Sequence, residues 1–204
     1  MSARWLVVLV AASLSGCALF GKNDPVVSRY FTPEYEGAAK AAAVPTGPPL
    51  RLGRVEGWSH LRERLVVRSA ASELAYSEDR RWTERPEVYL RRALARTLFE
   101  ERGLVEAVSG RAVTLEVELI AFEEFERPHR VRFQAALVLS DHQVGLLRET
   151  VTMERPVAAA GGDPMQALVE AYSQALQAGV NRIADLVAAR LAEEPASGPA
   201  ATPR

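Results

Sequence analysis

Two runs of strict alternation constrain this chain more than any other feature. Val113, Leu115, Val117, Leu119 and Ala121 are separated by single polar residues, and Val131, Phe133, Ala135, Leu137 and Leu139 repeat the pattern. A period of two puts every apolar side chain on one side of a pleated strand, so each run predicts a strand with one buried face. The break at Arg127-Pro128-His129 and the one from Ser140 to Gln143 are of hairpin length. With a third, weaker strand from Gly145 to Arg155, the three form an antiparallel meander. Its apolar face needs a cover, and the sequence supplies a helix directly afterwards. Asp163 stands as N-cap, Pro164 at the first helical position and Gln166 where a capping box closes. Met165, Leu168, Val169, Tyr172, Leu176, Val180, Ile183, Leu186, Val187 and Leu191 then mark one apolar face. Gly179 is the expected bend, beyond which Ile183, Val187 and Leu191 would project past the sheet as an exposed stripe.

The first half follows the same plan. Leu50 to Val55, Leu65 to Arg68 and Glu73 to Tyr76 read as strands, and Ser28 to Tyr35 as a first strand that Pro33 confines to an edge. Thr83 as N-cap, Pro86 in the first turn, the spacing of Tyr89, Leu90, Ala93, Leu94, Thr97 and Leu98, and Gly103 as stop define a helix. The expected fold class is α+β, a mostly antiparallel sheet with two helices packed on one face, in strands-helix-strands-helix order. Ile120, Phe122 and Val138 fall out of phase, so Phe122 and Phe125 mark either a bulge or an exposed binding surface.

The N-terminus carries a different kind of signal. Arg4 precedes the apolar run Trp5 to Leu14, too short to span a bilayer, which takes about 20 apolar residues. Leu14-Ser15-Gly16-Cys17 resembles the lipobox of bacterial lipoproteins, cleaved before a cysteine that carries diacylglycerol. Residues 1–16 thus read as a signal peptide and Cys17 as the lipid attachment site. Residues 17–27 read as a tether, 28–192 as a single domain and 193–204 as a tail too polar and proline-rich to order itself. At about 3.3–3.6 Å per residue the tether holds the domain within about 35 Å of the membrane. Cys17 is the only cysteine, so no disulfide is available. Ala18 follows it where Asp would signal inner-membrane retention in enteric bacteria, so the outer membrane, facing the periplasm, is the expected location.

Charge and motif content exclude much. Lys and Arg number 25 against 26 Asp and Glu, interspersed instead of clustered, which argues against nucleic acid as a partner. His60, His129 and His142 share no metal-ligand spacing. There is no GxSxG elbow and no Walker motif; no catalytic residue, metal or cofactor is expected, and the protein reads as a non-enzyme. Gly161-Gly162 before the second helix could hold an anion, but Asp163 already occupies that cap. Glu123, Glu124 and Glu126 beside Arg127, Arg130 and Arg132 read as a solvated strand end. The segment from Glu73 to Pro86 sets Tyr76 and Trp82 among charged residues. Aromatics at such a corner are either core anchors or a partner-binding corner.

Arg64-Leu65-Val66-Val67-Arg68-Ser69, Glu73-Leu74-Ala75-Tyr76 and Arg81-Trp82-Thr83-Glu84-Arg85-Pro86 with the helix through Leu98 resemble the ABC-type transport auxiliary lipoprotein family. The later strand with Leu115-Glu116-Val117 and Phe122, and the closing alanine-rich helix, fit the same pattern. The resemblance implies a lipid-anchored periplasmic component working with a mammalian-cell-entry (MCE) protein and an ABC permease and ATPase, which move phospholipids or other hydrophobic molecules. Its motifs are structural ones, an arginine-bearing strand and a tyrosine-to-tryptophan corner; from that strand and corner come Arg68, Tyr76 and Trp82 as the candidate partner-binding residues, since arginine and aromatic residues concentrate at interface hot spots. The alternative function is a structural outer-membrane assembly or integrity lipoprotein without a transport role.

Overall fold

The computed structural model describes residues 26–35, 46–142, 144–158 and 163–193. The signal peptide, Cys17, most of the tether, Gly161-Gly162 and residues 194–204 lie outside them.

The alternating runs form β6 (Val113–Phe125) and β7 (Arg130–Asp141), followed by β8 (Val144–Pro156), and the three pair antiparallel in chain order. Leu115 lies opposite Leu139 and Val117 opposite Leu137, so the apolar sets share one face, and all four are buried. The register shifts between Leu119 and Ala121. One extra residue there reverses the phase of the strand, which carries Phe122 onto the apolar face opposite Phe133. The out-of-phase phenylalanine is therefore core, 1 % exposed.

The remaining strands are β1 (Arg29–Phe31), β2 (Pro49–Gly57), β3 (Arg64–Ala70), β4 (Glu73–Trp82) and β5 (Val105–Glu106). They correct the expectation of a mostly antiparallel sheet. All eight strands form one mixed sheet, in which β2 and β3 both run parallel to β6, β5 parallel to β2 and β1 parallel to β4. Only β3–β4 joins the meander as an antiparallel pairing. The physical reason is connectivity. The chain does not reverse between β2 and β3, which occupy successive stretches of one edge of β6, with the Trp58 N–H continuing the ladder to the Leu119 carbonyl at 3.0 Å. β4 then turns back antiparallel to β3, and after a helix β6 reverses direction again, which sets it parallel to both β2 and β3.

That helix, α1 (Pro86–Ala95), runs on into a π-helical turn, Arg96–Glu101, and Gly103 follows with φ 68°. Arg85, not Thr83, takes the N-cap position, because Pro86 fixes the first helical residue. The Thr83 hydroxyl instead meets the Tyr89 hydroxyl at 2.7 Å and the Thr32 hydroxyl at 2.8 Å. The second helix, α2 (Pro164–Glu193), is capped as expected: Asp163 Oδ1 accepts the Met165 N–H at 2.9 Å. Both helices share one core with the sheet, at whose centre Trp82 packs on Tyr89, Phe122 and Tyr172 with ring centroids 6.3, 5.4 and 4.9 Å apart.

Two expectations about α2 fail. The helix continues through Gly179, where a Cβ would collide with the Phe133 ring, so this glycine permits close approach to β7. Ile183, Val187 and Leu191 are buried against β7 and β8 instead of forming a stripe. A 30-residue helix is about 45 Å long and a 13-residue strand about 44 Å, so the long strands can cover the helix along its length.

Candidate functional site

Helices cover one face of the sheet; the other is open, and its two ends differ. Near the start of β6, Arg54 faces Glu56 and Glu116 at 3.8 and 3.7 Å, an exposed mixed-charge surface. At the far end, register alone assembles two rows of side chains. Tyr76, Val66, Glu123 and Arg132 stand side by side across β4, β3, β6 and β7, and Leu74, Arg68, Phe125 and Arg130 form the next row. Cross-strand partners share a face, so these residues make one surface.

Its organising group is Glu123, whose side chain is fully buried. Arg68 grips it with both prongs, Nε to Oε1 and Nη2 to Oε2 at 3.0 Å each, and Arg132 Nη2 donates to Oε1 as well. A buried carboxylate is tolerated only with such pairing, and the planar guanidinium fork matches it. Arg68 Nη1 also donates to the Ala71 carbonyl at 2.9 Å, tying the β3–β4 turn down. The same pairing fixes the arginines around Phe125, with the carbons of Arg130, Arg132 and Arg68 at 4.0, 4.8 and 5.9 Å from its ring centre. Arg130 is held in turn by Glu154 at 3.0 Å. His60 borders the cluster. Burial lowers its pKa, Glu123 opposes the shift and Arg68 adds to it, so the ring is held towards its neutral form. Trp58 leans edge-on against it, 45 % exposed.

Glu124, one residue on, points to the helix side and is also buried, paired with Arg80 at 3.0 Å and His129 at 2.9 Å. The acidic run is therefore not a solvated strand end. Glu123 and Glu124 are structural carboxylates on opposite faces, and Glu126 alone is exposed.

Of the residues singled out in sequence, Arg68 and Tyr76 fall on this surface. Trp82 lies in the core, 1 % exposed, and Cys17 is outside the described residues. Glu123, Arg130 and Arg132 are the additions. Their one signal in sequence is the charge alternation Glu123, Phe125 against Arg130, Arg132 on facing strands. Exposed Tyr76 at 43 % and Leu74 at 36 %, with stacked arginines, give the composition of a protein-docking surface. Among the described residues no group of three or more His, Cys, Asp or Glu side chains could hold a metal ion, and no helix is long and apolar enough to cross a membrane. Beside α2 runs a groove of about 640 Å³, along its first half and not beyond Gly179; Phe31 and Val169 line it together with Glu34, Gln166, Glu170 and Ser173.

The sequence matches the family of ABC-type transport auxiliary lipoprotein components over residues 33–184, and the protein belongs to that family. The family is one of cell-envelope lipoproteins associated with ABC transport. The fold resembles that of a Xanthomonas campestris protein of family DUF330, with TM-score 0.69 and 16% identity, covering 80% of this chain and 96% of that one. It also resembles an uncharacterised protein (TM-score 0.63, 16% identity, 79% and 99% covered). A hypothetical protein of Chlamydia trachomatis is more distant (0.52, 7%, 72% and 99%). At these identities the likeness is one of fold. No curated protein matches the sequence.

Proposed function

We propose that the protein is a non-enzymatic accessory lipoprotein of an MCE-type ABC transport system, anchored through Cys17 in the outer membrane and facing the periplasm. It docks the MCE protein, and through it the permease and ATPase, in a pathway for phospholipids or other hydrophobic molecules. Membership of the auxiliary lipoprotein family carries this reading. The arginine and aromatic surface around Phe125 supports it, because preorganised guanidiniums and exposed aromatics concentrate binding energy without supplying a nucleophile or base.

The test is a photoreactive residue in place of Tyr76, crosslinked in the native envelope. Capture of an MCE-domain protein is expected, with capture falling at least tenfold in Phe125→Ala. Exclusive capture of outer-membrane assembly factors would establish the structural-lipoprotein alternative instead.

A further inference from the structure

The groove along the first half of α2 has a second wall, formed by β1 and the residues after it. That segment runs alongside the helix and is clasped to it at both ends. Arg29 Nη2 donates to Asp163 Oδ2 at 3.2 Å, and the Glu34 N–H donates to Ser173 Oγ at 2.9 Å. Five extended residues rise about 16–17 Å and ten helical ones about 15 Å, so the two walls keep step between the clasps. The space of about 640 Å³ between them is therefore a slot as long as a short extended peptide.

The strand wall is an open sheet edge. Among the described residues β1 pairs with β4 alone. In that parallel ladder Phe31 is turned towards β4, its carbonyl accepting the Thr83 N–H at 3.0 Å. Bonding alternates along such a strand, so the N–H and C=O of Tyr30 point the other way, and they pair with no backbone group among the described residues. The Tyr30 side chain is 63 % exposed. The charge of the slot is one-sided. Glu34, Asp163 and Glu170 line it, and no lysine or arginine does. Arg29 balances Asp163. Glu34 and Glu170 are exposed and have no cationic partner among the described residues, Glu170 accepting the Gln174 amide at 3.1 Å.

We propose that this groove receives an extended segment of a partner protein carrying lysine or arginine, which adds a strand to the free edge of β1. Strand addition draws affinity from main-chain hydrogen bonds, here to Tyr30, and specificity from the alternate side chains. Those that face the carboxylates meet Glu34 and Glu170, and Phe31 and Val169 supply the apolar contact. An acyl chain fits less well, because the exposed Gln166, Glu170 and Gln174 would lose water without gaining a partner. The slot lies on the helix side, away from the surface around Phe125, so the proposal stands whether or not the partner there is an MCE protein.

Fluorescence anisotropy on the mature full-length protein tests it, with labelled pentapeptides of alternating valine and lysine, the same with glutamate for lysine, and the lysine peptide with alternate amides N-methylated. The lysine peptide should bind, and the other two should bind about tenfold more weakly or worse. Exposed ion pairs are individually weak, so Glu34→Gln/Glu170→Gln should cost about threefold or more, at an unchanged melting temperature. Tyr30→Pro removes the outward N–H and spares the ladder to β4, and should weaken binding more than Tyr30→Ala does. No binding at about 1 mM peptide, equal affinity for the lysine and glutamate peptides, or wild-type affinity in both the glutamine pair and Tyr30→Pro would overturn the proposal. A dimer in sedimentation that Tyr30→Pro dissociates would give the edge to a second copy of the chain, and would overturn it as well.

Discussion

Tyr172 is the residue whose chemistry is most at odds with its position. It is fully buried among Trp82 and Phe122, and its hydroxyl finds no hydrogen-bond partner among the described residues. An unsatisfied buried hydroxyl costs about 1–3 kcal/mol, so Tyr172→Phe should raise stability by about 1 kcal/mol in chemical denaturation. Burial, reinforced by the charge of Glu124, also pushes its pKa well above the usual value. Below about pH 10 native and unfolded chains both hold the phenolic proton, and the group adds no pH dependence. Above it the unfolded chain releases a proton that the native chain retains, so stability declines as pH rises. Tyr35 shifts the same way. The alkaline fall in melting temperature should therefore become shallower in Tyr172→Phe without vanishing; identical slopes would show that Tyr172 is not the group being held neutral. Helical spacing puts Tyr172 on the covered face of the helix, but nothing local in Glu170-Ala171-Tyr172-Ser173 announces that its hydroxyl is left without a partner among the described residues. It follows from Trp82 and Phe122, distant in sequence, arriving at the same point.

The long helix shows how an element's sequence can be read correctly and its glycine misread. Capping by Asp163 and the apolar periodicity are local, and both hold in the structure. A glycine in mid-helix suggests a bend when only the helix is considered, because it lowers helix stability by about 0.5–1 kcal/mol relative to alanine. Its cause here is across the interface, in the ring of Phe133. Gly179→Ala should accordingly destabilise the domain by about 1 kcal/mol or more, overpacking of about 1–3 kcal/mol outweighing the gain in helix propensity. In a Phe133→Leu background the same substitution should lose its penalty. A stabilising Gly179→Ala in the wild type would mean that the helix stands off the strand. The bulge at Ile120 teaches the same lesson within a strand. The phase change was visible as misplaced apolar residues, but which of Phe122 and Phe125 turns inward depended on pairing with β7.

For the molecule as a whole, the sharpest functional expectation, lipid attachment at Cys17, rests on Leu14-Ser15-Gly16-Cys17, outside the described residues. Cys17→Ala should abolish labelled palmitate incorporation and release the protein from sedimented membranes; a variant still labelled and sedimenting would place the anchor elsewhere. A single acyl chain holds a protein only weakly, whereas several hold it stably. Family membership, most of the strands, both helices and the Asp163 cap were legible from residues alone, because alternation and capping are determined within a few residues. The mixed pairing of the sheet, the burial of Ile183, Val187 and Leu191, and the meeting of Glu123 with Arg68 and Arg132 were not. Each joins segments that sequence order leaves unrelated, such as β3 and β6, which lie some fifty residues apart and carry no local signal of direction or partner. Short-range physics therefore set the elements, while only their packing decided which charges are buried and which face remains open.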